Sequence, residues 1–195
     1  MRCDLVAIGA SWGGLAALQT LLCGLDGDFD APICVAQHRS PRADDTLLPS
    51  LLGRRTALTV RDAEDKAHLR PGTVLIAPPD YHMLVERGDV ALSTDAPVAF
   101  SRPSIDVLLE SAAAAYGDRL VGVVLTGSNA DGAAGLAEVH RRGGLAIVQD
   151  PGEAERREMP DAALASVPTA EVLPLAEIAA RLNEVVGWAA RRARA

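Results

Sequence analysis

Short uncharged apolar runs recur along the chain, and between them the apolar residues thin to every third or fourth position. The run LVAIGA at 5–10 has the aliphatic content of a strand buried on both faces. From Gly13 to Leu25 the leucines fall at 15, 18, 22 and 25, which is the spacing of a helix face. PICVAQH (32–38) reads as a second strand, and DDTLLPSLLGRR (44–55) as a short helix interrupted or bent by Pro49. LTVRDAED (58–65) and GTVLIAPPDYH (72–82) are further strands, and HMLVERGDVALS (82–93) is a hairpin that turns at Arg87-Gly88-Asp89. Ser104–Tyr116 is a helix after Pro103, RLVGVVLTGSNADG (119–132) a strand and its loop, and Ala133–Arg142 a helix stopped by Gly143-Gly144. LAIVQDP (145–151) is another strand, MPDAALAS (159–166) opens a short helix, and Leu175–Arg192 is a final amphipathic one. Strands alternating with helices predict one α/β domain over 1–195: a doubly wound, mostly parallel sheet with helices on both faces and an antiparallel hairpin at its edge.

The stretch Leu5–Leu25 carries no charge and is long enough to cross a bilayer, but glycines and polar residues divide it. Asp4 stands where a signal peptide would need positive charge, so a strand, a glycine turn and a helix are expected, with no membrane insertion. The formal net charge of −7 argues against a nucleic-acid surface. Cys3, Cys23 and Cys34 are odd in number and lack a C-x-x-C pair, so the sequence implies neither a disulfide framework nor a zinc site, and a cytoplasmic setting fits.

In an open α/β sheet the binding crevice lies beyond the carboxyl ends of the strands. The residues that follow the strands are Ser11, His38, Asp80 with His82, Ser128 with Asn129 and Asp131, and Asp150. A hydroxyl, a base and a carboxylate are what nucleophilic acyl transfer needs. Each also has a plainer role. Ser11 suits a helix N-cap, His38 a solvated loop, His82 the surface beside the hairpin, and each aspartate a turn. His38 ends the strand that follows the serine's in sequence, which favours it over the rival base His82, whereas position alone does not choose among Asp80, Asp131 and Asp150. Gly13 and Gly14 would let a substrate approach the backbone at a helix start. Phosphate loops fit poorly: GASWGG lacks the second glycine of G-x-G-x-x-G, and Leu15 stands where a P-loop has lysine.

AIGASWGG, QH, GTVLIAPPDYHM, SRPSIDVLL, GVVLTGSNADGAAGL and EMPDAA follow one another in this order. Together they resemble the catalytic domain of the CheB-type chemotaxis protein-glutamate methylesterases, over roughly residues 4–186. The resemblance implies an α/β serine hydrolase that hydrolyses glutamate methyl esters on cytoplasmic chemoreceptor helices, releases methanol, and in many members also deamidates receptor glutamines. It implies Ser11 as nucleophile, His38 as base, Asp131 as the orienting carboxylate and the Ser128 amide as an oxyanion donor. Arg102 in SRPS falls in a matching block and is expected, with Trp12, Gly13 and Gly14, to meet the substrate. No metal or organic cofactor is called for, and a monomer is expected.

Two blocks depart from the family pattern, at three positions. Trp12 replaces a common threonine after the nucleophile, and TGSNADG puts Ser128 and Asn129 where T-G-M-G-x-D-G is usual. A backbone donor survives the first of these loop changes, and Asn129 is expected to tolerate left-handed backbone as the second. Family members commonly carry an N-terminal receiver domain. Here the first strand begins after Asp4, so a stand-alone domain is expected, constitutive or regulated by another chain. The alternatives are an inactive domain that binds a receptor or signalling protein, and an esterase for a protein substrate outside chemotaxis.

Overall fold

The computed structural model describes residues 2–39 and 47–193, with side chains through Gly187. The proposed start of the second helix at 44–46 lies outside the described residues. In chain order the strands and helices are β1 (Leu5–Ala10), α1 (Gly14–Cys23), β2 (Ile33–Gln37), α2 (Leu47–Gly53), β3 (Thr59–Asp62), β4 (Thr73–Ile76), β5 (His82–Val85) and β6 (Val90–Ser93). Then come α3 (Ile105–Tyr116), β7 (Leu120–Val124), α4 (Ala133–Arg141), β8 (Leu145–Gln149), α5 (Glu158–Ser166), β9 (Glu171–Leu173) and α6 (Leu175–Ala193).

Seven strands form one parallel sheet in the order β3-β4-β2-β1-β7-β8-β9. Alternate side chains of each strand enter different cores. Val6, Ile8 and Ala10 join α1, α2 and α6, with Leu18, Leu22, Leu52, Ile178 and Leu182 among the buried partners. Leu5 and Ala7 join α3, α4 and α5, with Leu108, Leu109, Leu136 and Met159. This two-sided burial explains why the strands read as unbroken apolar runs rather than as alternating ones. Gly9 faces the second core. A Cβ there would collide with Ile105 of α3, so glycine lets that helix lie close to the central strand.

The hairpin forms with the expected turn, Gly88 having φ 94°. It does not extend the edge of the main sheet: β5 and β6 make a two-stranded sheet of their own. Met83, Val85 and Val90 are buried in the α3 core, and the Ser111 hydroxyl of α3 accepts from the Val85 amide. The hairpin thus packs on a helix, which leaves β3 at the sheet edge. Pro49 lies within α2 and does not end it. Among the described residues no helix is long and apolar enough to cross a membrane.

The strand order reverses at β1. The chain moves from β1 to β2 on one side, and β7 later lies on the other. Loops from the carboxyl ends of β1, β2 and β7 therefore meet in one crevice.

Candidate active site

Ser11 follows the last residue of β1. Its amide donates to the Thr126 carbonyl, beyond β7, and its own carbonyl accepts from Gly14 and from the Gln37 side chain at 2.8 Å. The serine does not cap α1. The N-cap is Gly13, left-handed at φ 79° and without a side-chain cap. Ser11 Oγ instead lies 3.0 Å from His38 Nδ1. His38 Nε2 lies 2.7 Å from Asp131 Oδ2, which completes a chain of three side chains from three separate loops. The ring nitrogens have their roles set by position: Nε2 faces the carboxylate, so Nδ1 is the nitrogen left to accept from the hydroxyl.

Asp131 is 1% exposed, and burial alone would raise its pKa. The bond from His38 and those from the amides of Asp106 and Ile105 outweigh that cost and hold the carboxyl below the usual carboxylate range. Oδ2 accepts from Ile105 N at 2.8 Å, and Oδ1 accepts from Asp106 N and Ser104 Oγ, both at 2.9 Å. These amides are the first of α3, whose N-cap is Ser104. The carboxylate thus sits on a helix N-terminus, where aligned peptide dipoles favour negative charge.

The arrangement is reciprocal. Asp106, in the first turn of α3, accepts from Gly132 N at 2.9 Å and Gly135 N at 2.7 Å at the start of α4. Each helix therefore caps its N-terminus with a carboxylate from beside the other. Burial raises the Asp106 pKa, the Gly135 and Gly132 bonds oppose this, and the charge of Asp131 adds to the rise.

The glycines after Ser11 do create close approach, but residues of this chain fill the space. A Cβ on Gly13 would lie 2.8 Å from Glu155, and one on Gly14 would collide with Gln37. The Trp12 side chain is 58% exposed beside the serine. Its indole donates to Glu155 Oε1 at 2.8 Å, and the Arg156 guanidinium lies 5.4 Å from the ring centroid. The Arg156 carbonyl accepts from Gly127 N, and its amide donates to Thr126 Oγ1, which donates to the Trp12 carbonyl. One strap before α5 thus ties the β1 and β7 loops together. The amides of Trp12 and Ser128 donate to no acceptor among the described residues. Asn129 does not have a positive φ, so the tolerance expected of asparagine is not called on. Its side-chain oxygen accepts from Asp131 N at 3.1 Å, an Asx turn that shapes the loop instead.

The remaining candidates are engaged elsewhere. His82 is buried rather than superficial, accepting from Ser104 N and facing the Ala96 carbonyl. Asp150 accepts from Gly152 N in a turn. Asp80 accepts from Arg102 Nε and Nη2, and Arg102 Nη1 donates to the carbonyls of Thr94 and Asp95. The Arg102 guanidinium therefore binds loops of its own chain. Among the described residues no three His, Cys, Asp or Glu side chains converge as metal ligands do. The reading by sequence assigned nothing to Gln37, Ser104, Asp106, Glu155 or Arg156. Ser104 alone carried a signal, as a serine opening a helix.

The CheB methylesterase family model matches residues 6–182. The chain belongs to the CheB methylesterase family. A protein named putative protein-glutamate methylesterase/protein-glutamine glutaminase from Leptospira interrogans is 42% identical over 180 residues, which cover 92% of this chain and 93% of that one. A protein-glutamate methylesterase of Myxococcus xanthus is 43% identical over 93% of this chain, which spans 54% of its length. A protein-glutamate methylesterase/protein-glutamine glutaminase of Methanosarcina acetivorans is 36% identical over 94% of this chain and 54% of its own. The crystal structure of the Thermotoga maritima CheB methylesterase catalytic domain superposes with a TM-score of 0.89 at 33% identity, over 95% of this chain and all of that one.

Proposed function

We propose that the chain is a serine hydrolase that removes methyl groups from glutamate methyl esters on chemoreceptor helices. The observation that carries this reading is the hydrogen-bonded series from Ser11 Oγ through the His38 ring to Asp131. His38 Nδ1 takes the proton as Ser11 Oγ attacks the ester carbonyl. The imidazolium that forms keeps its second N–H on Asp131, whose charge stabilises it. The developing oxyanion is assigned to the amides of Trp12 and Ser128, which donate to no acceptor among the described residues and which a side-chain change at 128 does not remove. One such donor lowers a barrier by about 3 kcal/mol.

The tetrahedral intermediate collapses as the C–O bond to methoxide breaks and His38 returns its proton, so methanol leaves. Water then attacks the acyl-serine, gives a proton to His38, and glutamate departs while Ser11 Oγ recovers its proton. A glutamine side chain passes through the same steps with ammonia as the leaving molecule, which is the deamidation that the names of two relatives describe. The proposed setting is the cytoplasm, with the enzyme a monomer. The test is methanol release from a methylated receptor by the wild-type chain and by Ser11→Ala. Release that depends on Ser11 supports the reading, and release that persists in the variant overturns it.

A further inference from the structure

Beside His38 lies a pocket of about 150 Å³, lined by His38, Arg39, Asp80, Pro97, Phe100 and Arg102 among others. Sites for free small molecules commonly enclose about 300–1,000 Å³. This one has room for a single side chain, which suits a residue presented on a polypeptide surface rather than an enclosed ligand.

The rim of the pocket has an unusual construction. Val98 and Ser101 exchange both backbone hydrogen bonds, at 3.1 and 2.9 Å, across a two-residue turn. The turn residues, Ala99 and Phe100, have φ of 48° and 63°. Such turns favour Gly, Asn and Asp, because other residues crowd their own backbone at positive φ. Here the second position is an aromatic residue, and it is fully exposed. Arg102 fastens the flanks: it binds the Thr94 carbonyl at 2.7 Å, the Asp95 carbonyl at 2.8 Å and Asp80 at 2.6 Å. A disfavoured backbone, an anchored base and a solvent-facing ring together argue for a surface that another molecule covers. Six residues of the chain are aromatic, and among the described residues two others, Trp12 and Tyr81, are also exposed, one beside Ser11 and one next to Asp80.

We infer that Phe100 is a docking residue for the polypeptide that carries the ester, and that it sets the preference of the site for protein-borne over free glutamyl esters. The inference rests on the ester-hydrolase reading above. The ester side chain enters beside His38, and the helix that bears it packs on the Phe100 ring. The turn keeps the ring projecting before the partner arrives, so less freedom is lost on binding.

The test compares two substrates: a helical peptide with one central γ-methyl glutamyl residue, and N-acetylglutamate γ-methyl ester. In Phe100→Ala the ratio of kcat/KM for the peptide to that for the free ester should fall about tenfold, the size expected of an interface anchor. The change should lie in the KM for the peptide, and Phe100→Trp should restore most of it. A wild type that hydrolyses both esters and a Phe100→Ala variant with an unchanged ratio would overturn the docking role alone. A wild type that hydrolyses neither would overturn the ester-hydrolase reading as well.

Discussion

The carboxylate end of the Ser11–His38–Asp131 series is sealed and over-determined, while the hydroxyl end is open and bound once. Asp131 takes hydrogen bonds from the His38 ring, the Ser104 hydroxyl and two amides of α3. Among the described residues Ser11 Oγ meets only the His38 ring. Beyond it lie the exposed Trp12 and Phe100. The buried end fixes the imidazole, and in the proposed reaction the open end leaves the Ser11 hydroxyl and the Trp12 and Ser128 amides to a substrate. Rigidity and access are thus assigned to different ends of one ring.

Substitutions at the two ends should separate chemistry from stability. Ser11→Ala should lower methanol release most, by roughly 10⁴- to 10⁶-fold, with a melting temperature close to wild type because the hydroxyl has a single partner. Asp131→Asn should lower kcat by roughly 10⁴-fold through the wrong imidazole tautomer. It should also destabilise the fold by about 1–3 kcal/mol, because amides at the start of α3 lose a charged acceptor. Urea unfolding alongside the kinetics would expose the contrast, and equal stability of the two variants would break it.

Smaller changes sharpen the same division. Ser104→Ala should cost about 1 kcal/mol as a lost cap, with only a modest fall in rate. Asp106→Asn should cost about 1 kcal/mol in urea unfolding, because the Gly132 and Gly135 amides at the start of α4 lose a charged acceptor, with little change in rate; an unchanged midpoint would contradict its capping role. The two carboxylates also pull the pH dependence of stability in opposite directions. The pKa of Asp131 is lowered, so its contribution is present above the ordinary carboxylate value and is lost as pH falls through its own lower one. That of Asp106 is raised, so its contribution is present below the ordinary value and is lost as pH rises through its own higher one. Trp12→Phe keeps a ring and removes the bond to Glu155, so a few-fold rise in KM for a protein ester is the smallest effect expected.

The sheet was legible because burial on both faces writes each central strand as an apolar run. β9 was not, since a three-residue strand with exposed Val172 has no period to read. The hairpin's place on α3 was hidden for another reason: alternation shows that one face is buried, not which element buries it. At the site, Ser11, His38 and Asp131 stood out as side chains following strands, although residue order alone left three aspartates open. The partners of Asp131 are mostly backbone amides, which every sequence has, and only the packing of α3 against α4 brings them to it. Arg102 was legible as a charged residue in a motif, but its bonds to Asp80 and the Thr94 and Asp95 carbonyls were not, because they join segments that only the fold brings together.

The most direct test of a sealed carboxylate end driving an open nucleophile is reaction with a fluorophosphonate, followed by intact-mass analysis and peptide mapping. One equivalent on Ser11 of the wild-type chain, none in Ser11→Ala, and labelling at least about tenfold slower in Asp131→Asn is the result this account requires. An unlabelled wild type, or a label that forms as fast without the Asp131 carboxylate, would contradict it.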